Sequence, residues 1–207
     1  MGTLACFHAH PDDESIATGG TIARAVAEGH RVVLVFATDG DHGEVPSDLA
    51  PGETVADRRK REAADSAQVL GISEVVWLGY KDSGMTGWAQ NSDPEAFLNA
   101  DLEFAARTLA DLLLEEKVDV LTIYDWHGGY GHPDHIMVHK VGVRAAEMAA
   151  TPRVFEATMN RDAMREGLAM AREMGLDFGN DGFDPDGPAD DGNPMGLTAD
   201  ELTHGLD

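Results

Sequence analysis

Two short segments combine histidine with carboxylate at spacings that can do chemistry: His10-Pro11-Asp12-Asp13-Glu14 near the N-terminus and His132-Pro133-Asp134-His135 far downstream. His10-x-x-Asp13 offers an imidazole nitrogen and a carboxylate oxygen three residues apart, and His132-x-x-His135 offers a second pair, so either can grip an ion if the chain turns. A catalytic zinc takes three protein ligands and keeps a fourth position for water, whose pKa it lowers to about 7. The two segments overfill that count. Asp12 and Asp13 are adjacent and cannot easily face the same ion together, which leaves one of them free to accept a proton. A lone Asp-Asp pair is usually a solvated helix start; its combination with the second segment favours a working site.

Such a site needs a scaffold that joins distant segments, and the hydrophobic pattern provides one. Strands are expected at Leu4–Phe7, Arg31–Ala37, Val75–Leu78, Val118–Tyr124 and Arg153–Thr158, from short apolar and β-branched runs. Between them, helical spacing marks Ile16–Glu28, Asp57–Leu70 (ended by Gly71), Leu98–Lys117 and Pro133–Ala149, the last opened by proline. The alternation predicts an α/β fold over residues 1–158: a Rossmann-like, doubly wound, mostly parallel sheet with catalytic loops at the carboxyl ends of its strands. Residues 159–207 read as an acidic extension, helical over Arg161–Met174 and then rich in Asp, Gly and Pro. Six of the nine histidines, His8, His10, His42, His127, His132 and His135, fall at the expected strand ends. Neither G-x-G-x-x-G nor G-x-x-x-x-G-K-[ST] occurs, so the ordinary nucleotide readings of this fold fail.

Composition narrows the partners. A formal net charge of −23 repels nucleic-acid phosphates and anionic lipid surfaces. No run approaches the roughly 20 apolar residues of a membrane span, and the N-terminus lacks a signal-peptide pattern, so a cytoplasmic address is the default. The single cysteine, Cys6, sits in an apolar run and reads as a core residue. His8 reads as a satisfied core histidine, His42 and His127 as loop bystanders, and His30, His139 and His204 as helix-end or surface residues. Trp88 is the best placed tryptophan for stacking on a sugar ring.

The two segments belong to a wider set: the Thr38–Gly43 turn, Arg59-x-x-Glu62 ahead of Leu70-Gly71, Asp82-Ser83-Gly84-Met85-x-Gly87, and Gly128-Gly129-Tyr130-Gly131 leading into His132. Together they resemble the metal-dependent de-N-acetylases of the phosphatidylinositol N-acetylglucosamine deacetylase (PIG-L, LmbE-like) superfamily over residues 3 to 150. They look most like the bacterial branch that deacetylates glucosaminyl-inositol in mycothiol synthesis or cleaves mycothiol conjugates. The resemblance implies that His10, Asp13 and His135 bind Zn²⁺, with Fe²⁺ the other candidate, and that Asp12 is the general base. It further implies that His132 stands beside the oxyanion and is oriented by Asp134, that Tyr130 polarises the amide carbonyl, and that Arg59, Asp82 and Asp41 hold a small amino-sugar substrate. An N-acetyl amide is a poor electrophile, so its hydrolysis needs a strong nucleophile, a stabilised oxyanion and a proton for the leaving amine; each need has a candidate here. Relatives commonly continue past the position of Asp207, so the cleft is expected to be closed by a further C-terminal segment outside this sequence, by the acidic tail, or by a second copy in a homo-oligomer. Two rivals stand beside this reading: a non-haem Fe(II) oxygenase, which also uses two histidines and a carboxylate, and a metal-containing sugar-binding module. Neither has a use for Asp12.

Overall fold

The computed structural model describes residues 1–176 and 183–205. Five strands, β1 (Thr3–His8), β2 (Arg31–Thr38), β3 (Glu74–Tyr80), β4 (Val120–Tyr124) and β5 (Arg153–Ala157), form one sheet in the order β3-β2-β1-β4-β5. Every neighbouring pair is parallel. Helices α1 (Gly19–Ala27), α2 (Val55–Leu70), α3 (Leu102–Glu115) and α4 (Pro133–Ala149) make the crossovers, and α5 (Arg161–Glu173) follows β5.

The period of two along the central strands sorts the core into two layers. Ala5, Phe7, Val33, Val35 and Leu121 face one side and pack under Ala105, Leu109 and Leu113 of α3 and Val138 and Val141 of α4. Leu4, Cys6, Val32, Leu34 and Phe36 face the other side and meet Ile22 of α1 and Ala63 of α2. Burial pushes the Cys6 thiol up to about 11, which keeps it an unreactive core residue. β5 is the exposed edge. The chain runs outward from β1 through β2 to β3, then returns to the other side of β1 with β4. The sheet therefore switches direction between β1 and β4, and the loops leaving these two strands face a common crevice, where ligands of open α/β sheets bind.

Two helices differ from expectation. Ile16–Glu28 was expected as one helix, but Glu14–Thr18 forms a π-helical turn and α1 begins only at Gly19. Expected from Leu98, α3 starts at Leu102: Phe97–Asn99 is a 3₁₀ turn, and the Asp101 side chain accepts the Phe104 N–H as a new N-cap. Among the described residues no helix is long and apolar enough to cross a membrane. Of the expected extension, residues 177–182 and 206–207 lie outside the described residues.

Candidate metal centre

The loop leaving β1 turns sharply. Asp12 adopts φ +100°, a region that costs a non-glycine residue about 1–3 kcal/mol and persists only where the surroundings impose it. Its N–H donates to Oε2 of the buried Glu14 at 2.9 Å, and its carbonyl accepts the Ser15 N–H at 3.0 Å. The turn throws Asp12 outward, with a 64% exposed side chain, and Asp13 inward. Asp13 Oδ2 accepts the His10 N–H at 2.9 Å and lies 3.3 Å from His10 Nδ1 and 3.4 Å from His135 Nε2.

The second segment opens α4. His132 is its N-cap residue: Nδ1 accepts the Asp134 N–H at 3.1 Å, so in the neutral ring the proton sits on Nε2. His135 follows in the first turn, 3% exposed, its ring stacked on Tyr124 with centroids 4.2 Å apart. Its Nδ1 lies 3.2 Å from the Gly128 carbonyl, which takes the ring proton and turns the Nε2 lone pair inward. Gly128 has φ +70°, and a Cβ there would come within 2.9 Å of the Ile136 nitrogen and collide with His135, so only glycine lets the loop approach.

The structure thus brings His10, Asp13, His132 and His135 together, with ring centroids of His10 4.7 Å from His132 and 5.4 Å from His135. The donor set suits a divalent cation on two counts. Buried His135 Nε2 has no hydrogen-bond partner among the described residues. Ligands 2.0–2.1 Å from a tetrahedral zinc stand roughly 3.3 Å apart, and Asp13 Oδ2 stands at that spacing from both His10 Nδ1 and His135 Nε2. Donor atoms of His10, His132 and His135 also fall within 4.8 Å of one another, as do those of His10, Asp82 and Asp134.

Charge in the site is uneven. Burial disfavours the His10 imidazolium, yet Asp13, Asp134 and Asp82 outweigh it and raise the His10 pKa well above its usual value. Burial likewise pushes Asp13 up, and His135 and His10 more than reverse that, holding its carboxyl well below the usual range. His132 is lowered to about 4 by burial and then by the neighbouring His10 and His135. Tyr130, raised to about 12 by burial and the Asp13 charge, keeps its proton; its ring lies 5.0 Å from that of His135. The Asp12 carboxyl, exposed but partly desolvated on the side of the site, is raised, with Arg59 opposing.

Several expected roles look different in place. The Asp134 carboxylate is not within 4.0 Å of His132; it accepts the Ser83 N–H at 2.9 Å and the Ser83 hydroxyl, and lies 3.2 Å from His10 Nε2. It therefore orients His10, and reaches His132 only through its backbone amide. Asp82 is 5% exposed, accepting the Gly84 and His42 amides and lying 3.6 Å from His10 Nε2; burial raises its pKa, but His10 brings it below the usual range. Arg59 binds protein acceptors: Gly40 O at 2.8 Å, Pro11 O at 2.5 Å and Asp12 Oδ2 at 2.8 Å. Asp41 is exposed, with no hydrogen-bond or ion-pair partner among the described residues. His127 is 1% exposed, between Asp125 Oδ2 at 3.7 Å and Asp191 Oδ2 at 3.5 Å. The tail reaches this loop, with Asp190 N–H donating to Tyr130 O at 3.0 Å and Asp190 Oδ2 accepting the Thr86 N–H at 3.0 Å.

Sequence reading assigned no role to Tyr124, the last residue of β4. Its hydroxyl donates to His8 Nδ1 at 2.9 Å, because His8 Nε2–H is committed to Thr18 Oγ1, also at 2.9 Å. His8 is buried, its pKa lowered to about 4 by that burial, so it stays neutral as an acceptor. Tyr124→Phe keeps the ring under His135 but orphans His8 Nδ1. It is expected to lower the unfolding free energy by about 1–3 kcal/mol, read from denaturant midpoints, while zinc binding survives. An unchanged midpoint would mean that the buried imidazole finds another donor.

A family model described as GlcNAc-PI de-N-acetylase (PIG-L) matches residues 5–146. A 1D-myo-inositol 2-acetamido-2-deoxy-alpha-D-glucopyranoside deacetylase of Catenulispora acidiphila is 40% identical over 198 residues, covering 83% of this chain. One of Nocardiopsis dassonvillei is 48% identical over 191 residues, again covering 83% of this chain. The chain spans 60% of the length of the first and 68% of the second. Among solved structures, the N,N'-diacetylchitobiose deacetylase of Pyrococcus horikoshii is similar with a TM-score of 0.58 and 28% identity, over 72% of this chain and 51% of that one.

Proposed function

The chain belongs to the GlcNAc-PI de-N-acetylase (PIG-L) family, and on that premise we propose that it is a zinc-dependent amide hydrolase. It removes the N-acetyl group from an amino-sugar conjugate of the glucosaminyl-inositol or mycothiol type, with residues 1–158 as the catalytic unit. The observation that carries the reading is the Asp13 oxygen set 3.3 Å from His10 Nδ1 and 3.4 Å from an otherwise unpartnered His135 Nε2.

His10, Asp13 and His135 would hold the ion. When bound, zinc supplies a Lewis acid that polarises the amide carbonyl and makes water acidic near neutral pH. The chain's own residues do the rest. Asp134 accepts the His10 Nε2 proton and Gly128 O that of His135 Nδ1, which fixes both rings with their other nitrogens facing Asp13. Asp12 takes the proton of the attacking water. Tyr130, kept protonated, and His132, with its proton on Nε2, donate to the oxygen that gains charge. Asp12 then delivers the proton it took from the water to the departing amine, while His132 keeps its own on Nε2. The crowded carboxylates and the net charge of −23 favour a substrate without phosphate.

The test is acetate release from N-acetylglucosaminyl-inositol, a mycothiol conjugate and N-acetylglucosamine, after chelation and again with added zinc. Release that disappears with chelator, returns with zinc and needs no oxygen is expected, and would set aside the oxygenase. Sugar binding without release at any zinc loading would instead favour the binding module.

A further inference from the structure

We infer that Arg59 is a positioning residue for Asp12: its guanidinium fastens the β1 and β2 loops to each other and imposes the backbone conformation from which Asp12 works. The inference rests on the hydrolase reading only for the consequence in turnover. Nη2 spends both hydrogens on one stretch of chain, the Pro11 carbonyl at 2.5 Å and Asp12 Oδ2 at 2.8 Å, while Nη1 donates to the Gly40 carbonyl at 2.8 Å. The bonds to Pro11 O and Asp12 Oδ2 bracket the Asp12 backbone, whose φ is +100°. The Arg59 side chain is 16% exposed against 64% for Asp12, so the fork lies beneath the carboxylate it holds.

An independent sign comes from the turn after β2. Gly43 has no positive φ, so its backbone does not require glycine. A Cβ there would come 2.7 Å from Arg59 Nη1, and one on Gly40 would collide with the same guanidinium. The glycines of this turn make a slot for Arg59. The Thr38–Gly43 turn, Arg59 and Asp12, three separate motifs in the sequence, are one device.

A substrate contact and a positioning residue differ in kinetics. Arg59→Ala is expected to lower kcat about 10²-fold, the scale of a misplaced catalytic group, with KM little changed and zinc content intact. Gly43→Ala keeps the charge but pushes the guanidinium aside, so it should lower kcat in the same way, and Arg59→Ala/Gly43→Ala should be no worse than Arg59→Ala alone. Arg59→Lys, a point charge that cannot span three acceptors, should recover only part of the loss. A rise in KM with kcat unchanged, or additive losses in the double variant, would overturn the assignment. Crystal structures of the wild type and Arg59→Ala give a readout independent of turnover: Asp12 should leave its positive φ in the variant, and its persistence there overturns the inference whatever the kinetics. If the wild type releases no acetate from any of the three substrates, the hydrolase reading falls, and the Asp12 backbone alone decides for or against Arg59.

Discussion

Asp12→Asn is expected to lower kcat by about 10²–10⁴-fold while the protein keeps its zinc. Asparagine is the informative replacement because of the backbone. Asp12 sits at φ +100°, where alanine is strained, whereas asparagine is among the few side chains that tolerate positive φ. It also preserves an oxygen for Arg59 Nη2, so the loop that presents His10 and Asp13 need not move. What it lacks is basicity. A loss confined to kcat, with metal content equal to wild type by elemental analysis, isolates proton transfer from ion binding; Asp12→Ala would mix the two with backbone relaxation. Near-normal turnover in the asparagine variant would remove Asp12 from the base role and leave the bound ion's own chemistry as the source of rate.

The two histidine segments were legible because their spacing is local, and the sheet was legible because β-branched runs and helical stripes alternate cleanly. α4 runs Pro133–Ala149, the span its proline and apolar spacing mark in the sequence. Less visible was anything decided by contacts between loops. The family resemblance pairs Asp134 with His132, two residues before it; the fold turns its carboxylate to Ser83 and His10, from two other strand ends. Tyr124 looks like the end of a strand until α4 folds back and lays His135 on its ring. The Ile16–Glu28 stripe hides the π-helical turn because Glu14, just before it, is pulled inward to accept the Asp12 amide and the Ser66 hydroxyl. In each case a deciding partner comes from another element of the fold, which local spacing does not report.

His135→Ala is expected to abolish zinc binding and, with it, turnover. Its buried Nε2 has no hydrogen-bond partner among the described residues, so the lone pair it would give the ion is not spent elsewhere. The variant also disturbs the apo protein: the stacked ring on Tyr124 is lost, and Asp13, part-buried and held ionised chiefly by His135 and His10, loses one of these two partners. Lower stability alone therefore proves nothing about the ion. The discriminating quantity is the stabilisation that zinc adds, which for a ligand binding only the native state is about 2.7 kcal/mol at 100 times its Kd. Melting wild type and His135→Ala with and without zinc should show that increment in the first and none in the second. A full zinc-dependent shift in the variant would place the ion elsewhere, and the cluster of His10, Asp82 and Asp134 is where the geometry offers it a home. Asp13 would then be a hydrogen-bonding partner of His10, and Asp12 would lie next to a carboxylate that binds no metal.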